Sequence, residues 1–129
     1  MDSIKIAVAT SDGKSIDLHF GHAEWLRVYT VDAAGGVERE EERPGLASRV
    51  CKEDDSGGFG EDAMRGILAS LSDCKYVLVK RIGPHMVREL AAHGITSFEL
   101  FGELDAAIVK IAAYERKQRE RKQRNETQS

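Results

Sequence analysis

Only two cysteines, Cys51 and Cys74, occur in the 129 residues of this chain. They do not form a Cys-x-x-Cys pair. A zinc or iron–sulfur site made of cysteine alone needs about four thiolates, so such a site is excluded within one chain. Two cysteines make no disulfide framework either, which leaves reduced thiols serving packing, metal binding or redox chemistry. Long apolar runs are also missing, and nothing approaches the ~20 residues needed to cross a bilayer. The start, Met1-Asp-Ser-Ile-Lys-Ile6, lacks a basic stretch followed by a long apolar one, so no signal peptide is expected and a cytoplasmic protein is the default. Gly57, Gly58 and Gly60 are not followed by Lys-Ser/Thr and match no dinucleotide fingerprint, so they read as a flexible segment or a close backbone approach. No serine lies in a Gly-x-Ser-x-Gly elbow, which removes the usual signature of a serine hydrolase.

What remains is ordinary for one globular domain: 41% hydrophobic and 32% charged residues, with enough length to bury a core. The net charge of -3 argues against a nucleic-acid partner, but it is unevenly spread. In residues 114–129, Arg116, Lys117, Arg119, Arg121, Lys122 and Arg124 outnumber the three glutamates by three, which leaves -6 on the body. This tail reads as a solvated helix end whose cations complement the helix dipole, with a basic arm for an acidic partner as the alternative.

Ile4, Ile6 and Val8 alternate with Lys5, Ala7 and Ala9, which predicts a largely buried strand ended by Ser11-Asp-Gly13. Trp25 to Val31 predicts a second strand, and Val37 to Arg43 a third that is charged and near an edge. Residues 44–60 are irregular. Met64, Ile67, Leu68 and Leu71 fall on one helix face. Tyr76 to Val79 suits a central strand. Pro84 opens a helix whose expected inner face is Val87, Leu90 and Ala91, with Gly94 as its cap. Ile95 to Phe101 predicts a fifth strand, and Leu104, Ile108, Ile111 and Ala112 a last helix. The order β-β-β-α-β-α-β-α predicts a mixed five-stranded sheet with helices on its faces.

The groups able to carry chemistry centre on Ser15 to Asp32. His19 and His22 stand three residues apart around Phe20-Gly21, between two strands. Imidazole is the commonest protein ligand for metals, and both rings could reach one metal if Gly21 makes a tight turn. The plain alternative is one histidine capping a turn and the other solvated. With Asp17 or Glu24 the pair would supply the donors of a metal-assisted hydrolase. Cys51, in the irregular segment, is a soft-ligand candidate, whereas Cys74 reads as a small buried hydrophobe. His85 follows the presumed central strand, where clefts of open α/β sheets bind ligands. His93, before Gly94, reads as a helix-end residue.

Two ordered blocks carry a family resemblance. Ile4-Lys-Ile-Ala-Val-Ala-Thr-Ser-Asp-Gly-Lys14 with Asp17-Leu-His-Phe-Gly-His-Ala23 resembles the opening of the dinitrogenase iron–molybdenum cofactor biosynthesis family, which includes NifX proteins and the carboxy-terminal domain of NifB. Leu71-Ser-Asp-Cys-Lys-Tyr-Val-Leu-Val-Lys-Arg-Ile-Gly-Pro84 and Leu90-Ala-Ala-His-Gly-Ile95 resemble later parts of it. The resemblance covers residues 4–113, so the chain divides into a cofactor-binding domain, 1–113, and a basic extension, 114–129. It implies a ribonuclease-H-like three-layer α/β fold. No nuclease activity follows, since Ala7, Val8 and Ala9 stand where a metal-binding acid would be expected. It further implies a non-enzymatic protein that binds or carries an iron–sulfur or iron–molybdenum cofactor precursor. On that reading His19, Phe20, Gly21, His22, Cys51 and His85 contact the cofactor, and His19, His22 and Cys51 bind its metal. His85 stands where related NifB-like domains often carry cysteine. Lys80, Arg81 and the amides near Gly57 would offset the charge of an anionic cluster. Cofactor-assembly or nitrogenase-type proteins are the implied partners, with a homodimer left open. The rival is a partner-binding or regulatory module without a cluster, and the hydrolase ranks third.

Overall fold

The computed structural model describes residues 3–32, 34–45 and 61–128. Five strands form one mixed sheet: β1 (Ile4–Val8), β3 (Trp25–Val31), β4 (Val37–Pro44), β5 (Tyr76–Val79) and β6 (Thr96–Glu99), in the spatial order β4-β3-β1-β5-β6. The pairs β1·β3 and β3·β4 are antiparallel, while β1·β5 and β5·β6 are parallel. A separate two-stranded ribbon joins β2 (Ser15–Ile16) to β7 (Gly102–Glu103). These two-residue strands lie below the length at which alternation can be read from sequence. Ile95 to Phe101 resolves into the shorter β6, with Leu100 and Phe101 outside any strand, and the first strand ends at Val8 rather than Thr10.

Alternation along β1 sorts the core into two layers. Ala7 and Ala9 face one apolar cluster, which contains Ile67, Leu68 and Leu71 at helix α1 (Glu61–Ser70) and Met86 and Leu90 of α2 (Pro84–Ala92). Ile4, Ile6 and Val8 face the other, which contains Leu104, Ala107, Ile108, Ile111 and Ala112 of α3 (Leu104–Gln128). The helices thus cover both faces of the sheet. The periodicity of α1 and α3 is the one expected. In α2 the buried face is Met86 and Leu90, whereas Val87 is 37% exposed and Ala91 is also exposed. The helix has only nine residues, so an i, i+4 pair defines its inner face and the expected stripe is rotated by one position. Gly94, at φ +78°, closes α2: its N–H donates to the Ala91 carbonyl and that of Ile95 to the Leu90 carbonyl, the paired bonds of a Schellman cap.

Strand β4 lies at the edge of the sheet, as its charge pattern implies. Its Arg43 reaches inward, donating two bonds to Asp73 (2.6 and 2.9 Å) and one to the Ser70 carbonyl. Lys5 adds a third cationic contact to Asp73 at 2.9 Å. Cys74 lies in the core, 4% exposed. Helix α3 runs without interruption through residue 114, and its apolar stripe is continued by Glu115, whose side chain is only 2% exposed.

Candidate functional site

The two central parallel strands deliver their carboxyl ends to the same place. From β1 the chain passes to β3 on one side, while from β5 it passes through α2 to β6 on the other. Such a divergence leaves a crevice beyond the strand ends. The walls extend the ladder past the strands themselves. Ala9 N–H donates to the Leu78 carbonyl, Lys80 N–H to the Leu18 carbonyl, and Phe20 N–H to the Arg81 carbonyl, so residues 18–20 run beside 80–81 with His19 bridged to Arg81. Phe20 is 2% exposed and sits in the core, anchoring a 3-10 turn, Phe20–His22. His22 N–H closes that turn on the His19 carbonyl at 3.1 Å.

This arrangement lines a cavity of about 770 Å³ with His19, Phe20, Gly21 and His22 from one loop and Arg81 to Met86 from the other. Met64 and Glu99 complete it. Histidines 63 or more positions apart in sequence are thereby gathered at one opening. The rings of His19 and His22 lie 5.0 Å apart and nearly parallel, at 7°. Rings stacked in this way are not posed as a chelating pair. Among the described residues no three His, Cys, Asp or Glu side chains are grouped to hold a metal ion.

His85 is the second residue of α2, 65% exposed, with Nε2 4.0 Å from Glu89. The helix starts at Pro84 after Gly83, which makes no side-chain cap. Its first-turn N–H groups carry the positive end of the helix dipole, and Gly83, Pro84 and His85 all line the cavity. Arg81 adds a formal positive charge to the wall. Lys80 points elsewhere, 5.3 Å from the centroid of the exposed Phe101 ring. Sequence reasoning did not select Glu99, which lies at the carboxyl end of β6 and accepts a hydrogen bond from Ile82 N–H at 2.9 Å, fixing the Arg81–Gly83 loop. The signal was its place at a strand end. Met64 and Met86 were likewise missed as wall residues.

Other expected residues stand apart. Cys51, Asp54, Asp55 and the Gly57–Gly60 segment lie outside the described residues. Asp17 is engaged by Ser11, whose backbone N–H donates at 2.9 Å and whose hydroxyl also donates, and it does not line the histidine cavity. Glu24 shares a smaller adjoining cavity with His22 but not with His19. The donor set required by the hydrolase reading is therefore not assembled among the described residues. The Cys74 thiol is pushed up to about 12 by burial, reinforced by neighbouring Asp73, and is held as the thiol. His93 Nδ1–H donates to the Glu89 carbonyl at 3.0 Å, in keeping with a helix-end role.

No helix among the described residues is long and apolar enough to cross a membrane. Comparison with known proteins gives the fold and the family. The chain is 36% identical over 118 residues to the FeMo cofactor biosynthesis protein NifB of Sinorhizobium fredii, a match covering 88% of this chain and 22% of that protein. It is also 36% identical over 96 residues to NifB of Klebsiella pneumoniae, covering 73% and 20%. The chain thus spans about a fifth of the length of these relatives. Among solved structures, a candidate dinitrogenase from Methanocaldococcus jannaschii superposes with a TM-score of 0.60 at 15% identity, over 89% of this chain and 93% of that one. A candidate NifB protein from Thermotoga gives 0.53 at 15% identity, over 86% and 88%. These structural likenesses confirm the mixed α/β fold. The model of the dinitrogenase iron–molybdenum cofactor family matches residues 2–114, and the chain belongs to that family.

Proposed function

We propose that the chain is a non-catalytic carrier that holds an iron–sulfur or iron–molybdenum cofactor precursor in the histidine cavity and passes it on during nitrogenase-type cofactor assembly. The observation that carries this reading is the convergence of His19, His22 and His85 on one cavity of about 770 Å³ at the strand ends. That volume lies within the ~300–1,000 Å³ range of small-ligand sites. Three imidazoles that do not share one focus can each take a different metal atom of a polymetallic cargo. Arg81 and the α2 N-terminus offset the charge of an anionic cluster. Neutral imidazoles bind borderline metals without the tight hold of several thiolates, which suits a cargo that must leave again. His19 is the first ligand, held between the core anchor Phe20 and the Arg81 loop, and Cys51 is an additional thiolate. Phe20 and Gly21 shape the wall. The implied partners are cofactor-assembly or nitrogenase-type proteins, and the implied compartment is the cytoplasm. The two-sided helix cover and the order β4-β3-β1-β5-β6 support the ribonuclease-H-like name for the fold. We treat residues 1–113 as the carrier domain and the basic end of α3 as its extension.

The test is anaerobic titration with an isolated cofactor precursor, read by visible absorption and by iron retained after gel filtration. The parent retains iron, His19→Asn loses most of it, and His22→Asn and His85→Asn lose part. Loss only in Cys51→Ala would move the site to the segment that carries Cys51. A parent that retains none refutes the carrier reading and favours the partner-binding module, with a stable complex formed in the absence of iron as its signature.

A further inference from the structure

At the opposite end of the sheet, the first residues of β5 and β6 and the outer half of α3 enclose a second cavity of about 480 Å³. Its floor is the Glu115 carboxylate. Oε1 accepts a hydrogen bond from the Tyr76 hydroxyl at 2.6 Å, and Oε2 accepts from both Lys75 Nζ at 2.6 Å and Arg119 Nε at 2.7 Å. One oxygen therefore holds an ammonium and a guanidinium side by side. Each spends one donor there. Lys75 keeps two ammonium hydrogens and Arg119 keeps its four terminal N–H groups. Both side chains remain partly open, at 47% and 32% exposure. The backbone of Lys75 is pinned as well, its N–H donating to the Lys5 carbonyl and its carbonyl accepting from Thr96 N–H. Arg121 adds a third cation to the wall and has no carboxylate partner among the described residues. Three cations against one carboxylate leave the cavity with a formal charge of +2.

We infer that this cavity binds a dianionic oxyacid group, a phosphate monoester or a dicarboxylate. A guanidinium fork meets two oxygens of such a group at once, and an ammonium adds a compact charge. The buried carboxylate sets this place apart from an ordinary basic surface, because it orders two flexible cations before any ligand arrives and so removes part of the ordering cost of binding. A bound dianion would be gripped by α3 and by the start of β5 together, fastening the basic end of the helix to the sheet. The site stands on this network alone and does not depend on the cargo reading.

The full chain, labelled for 15N–1H correlation spectra, is titrated with inorganic phosphate and in a parallel arm with succinate, at an ionic strength held constant with chloride. Saturable shifts are expected at the amides of Lys75, Thr96 and Gln118, with half-saturation in the millimolar range. Arg121→Gln leaves Glu115 and its partners untouched, so the fold persists, and binding weakens about fivefold, the effect of losing one partly exposed charge contact. His19→Asn binds as the parent does. Saturation by phosphate alone identifies a phosphoryl ligand, by succinate alone a dicarboxylate, and by both a general dianion site. Linear shifts that never saturate with either, or equal affinity in Arg121→Gln and the parent, would overturn the proposal and leave the cations serving only Glu115.

Discussion

Replacing Glu115 by glutamine tests how far one buried charge fixes the α3–sheet contact. The substitution keeps the volume and one carbonyl oxygen, which can still accept from Tyr76. It removes the charge and turns an NH₂ group toward Lys75 and Arg119, donor against donor. A hydrogen bond to a charged group contributes about 1.5–3 kcal/mol. Lys75 and Arg119 are 47% and 32% exposed and regain water when released, so much of their share is recovered. The expected net loss is about 2 kcal/mol, or about 7 °C in Tm for a domain of this size. The loss has a predicted pH dependence. Burial pushes the Glu115 carboxyl up, but hydrogen bonds from Lys75, Tyr76 and Arg119 outweigh it and hold the group below the usual carboxylate range. A depressed folded pKa stabilises above the unfolded value of about 4.3, and the gain is lost as pH falls through the folded one. The gap between parent and Glu115→Gln should thus be constant from neutral pH to about 5 and close under more acid conditions. Urea denaturation followed by circular dichroism measures it. A gap under about 0.5 kcal/mol at pH 7, or one that persists unchanged at pH 3, refutes the reasoning.

Two further predictions concern the other ionisable groups of the body. Arg43, ahead of an opposing burial effect, and Lys5 hold Asp73 well below the usual carboxylate range, so Asp73→Asn should cost about 1 kcal/mol at pH 7 for this partly exposed network, with the cost fading once acid titrates the parent's carboxylate; pH-dependent denaturation of the two chains decides it. Cys74, with its thiol pushed up to about 12 by burial first and Asp73 second, should resist alkylation in the native chain at pH 8 and react only on unfolding, so that mass spectrometry after iodoacetamide finds Cys74 unlabelled until urea is added; labelling of Cys74 in the native chain would contradict the buried placement.

The parts of this fold that follow from periodicity were legible in the sequence. Alternation through Ile4, Ile6 and Val8 and the 3.6-residue stripes of α1 and α3 act over several residues, so each repeats its signal. The edge position of β4 was legible because its run of glutamates cannot be buried. What escaped was set by single contacts. The two-residue strands β2 and β7 exist only because each finds the other across more than eighty positions, Ser15 opposite Glu103 and Ile16 opposite Gly102. In α2, with nine residues, one core neighbour more or less turns the helix, and Met86 rather than Val87 went inward. Glu115 was counted as a tail charge, since nothing local distinguishes a carboxylate that completes an apolar stripe from one that is solvated; its cations Lys75 and Arg119 and the Tyr76 hydroxyl lie 40, four and 39 positions away.

The candidate site shows the same division, and it decides what kind of ligand to look for. A spacing of three suggested that His19 and His22 could close on one ion, and spacing was all the sequence offered. The 3-10 turn instead sets the rings parallel at 5.0 Å, because Phe20 between them is committed to the core and the turn must close on the His19 carbonyl. The third imidazole comes from a different loop, brought in by a parallel ladder whose register ties Phe20 to Arg81. A resident metal ion would demand three donors on one focus, and a hydrolase would add a carboxylate that Asp17 does not supply while Ser11 engages it. Three separated imidazoles beside Arg81 and a helix N-terminus make the opposite demand on the ligand. On the proposed carrier role, the cargo is larger than one ion, carries several metal atoms along its edge, and is negative enough to gain from that end of α2. The proposed carrier role therefore predicts selection by the spacing of metal atoms: in the same gel-filtration assay a single divalent ion is retained weakly where a cluster is retained well.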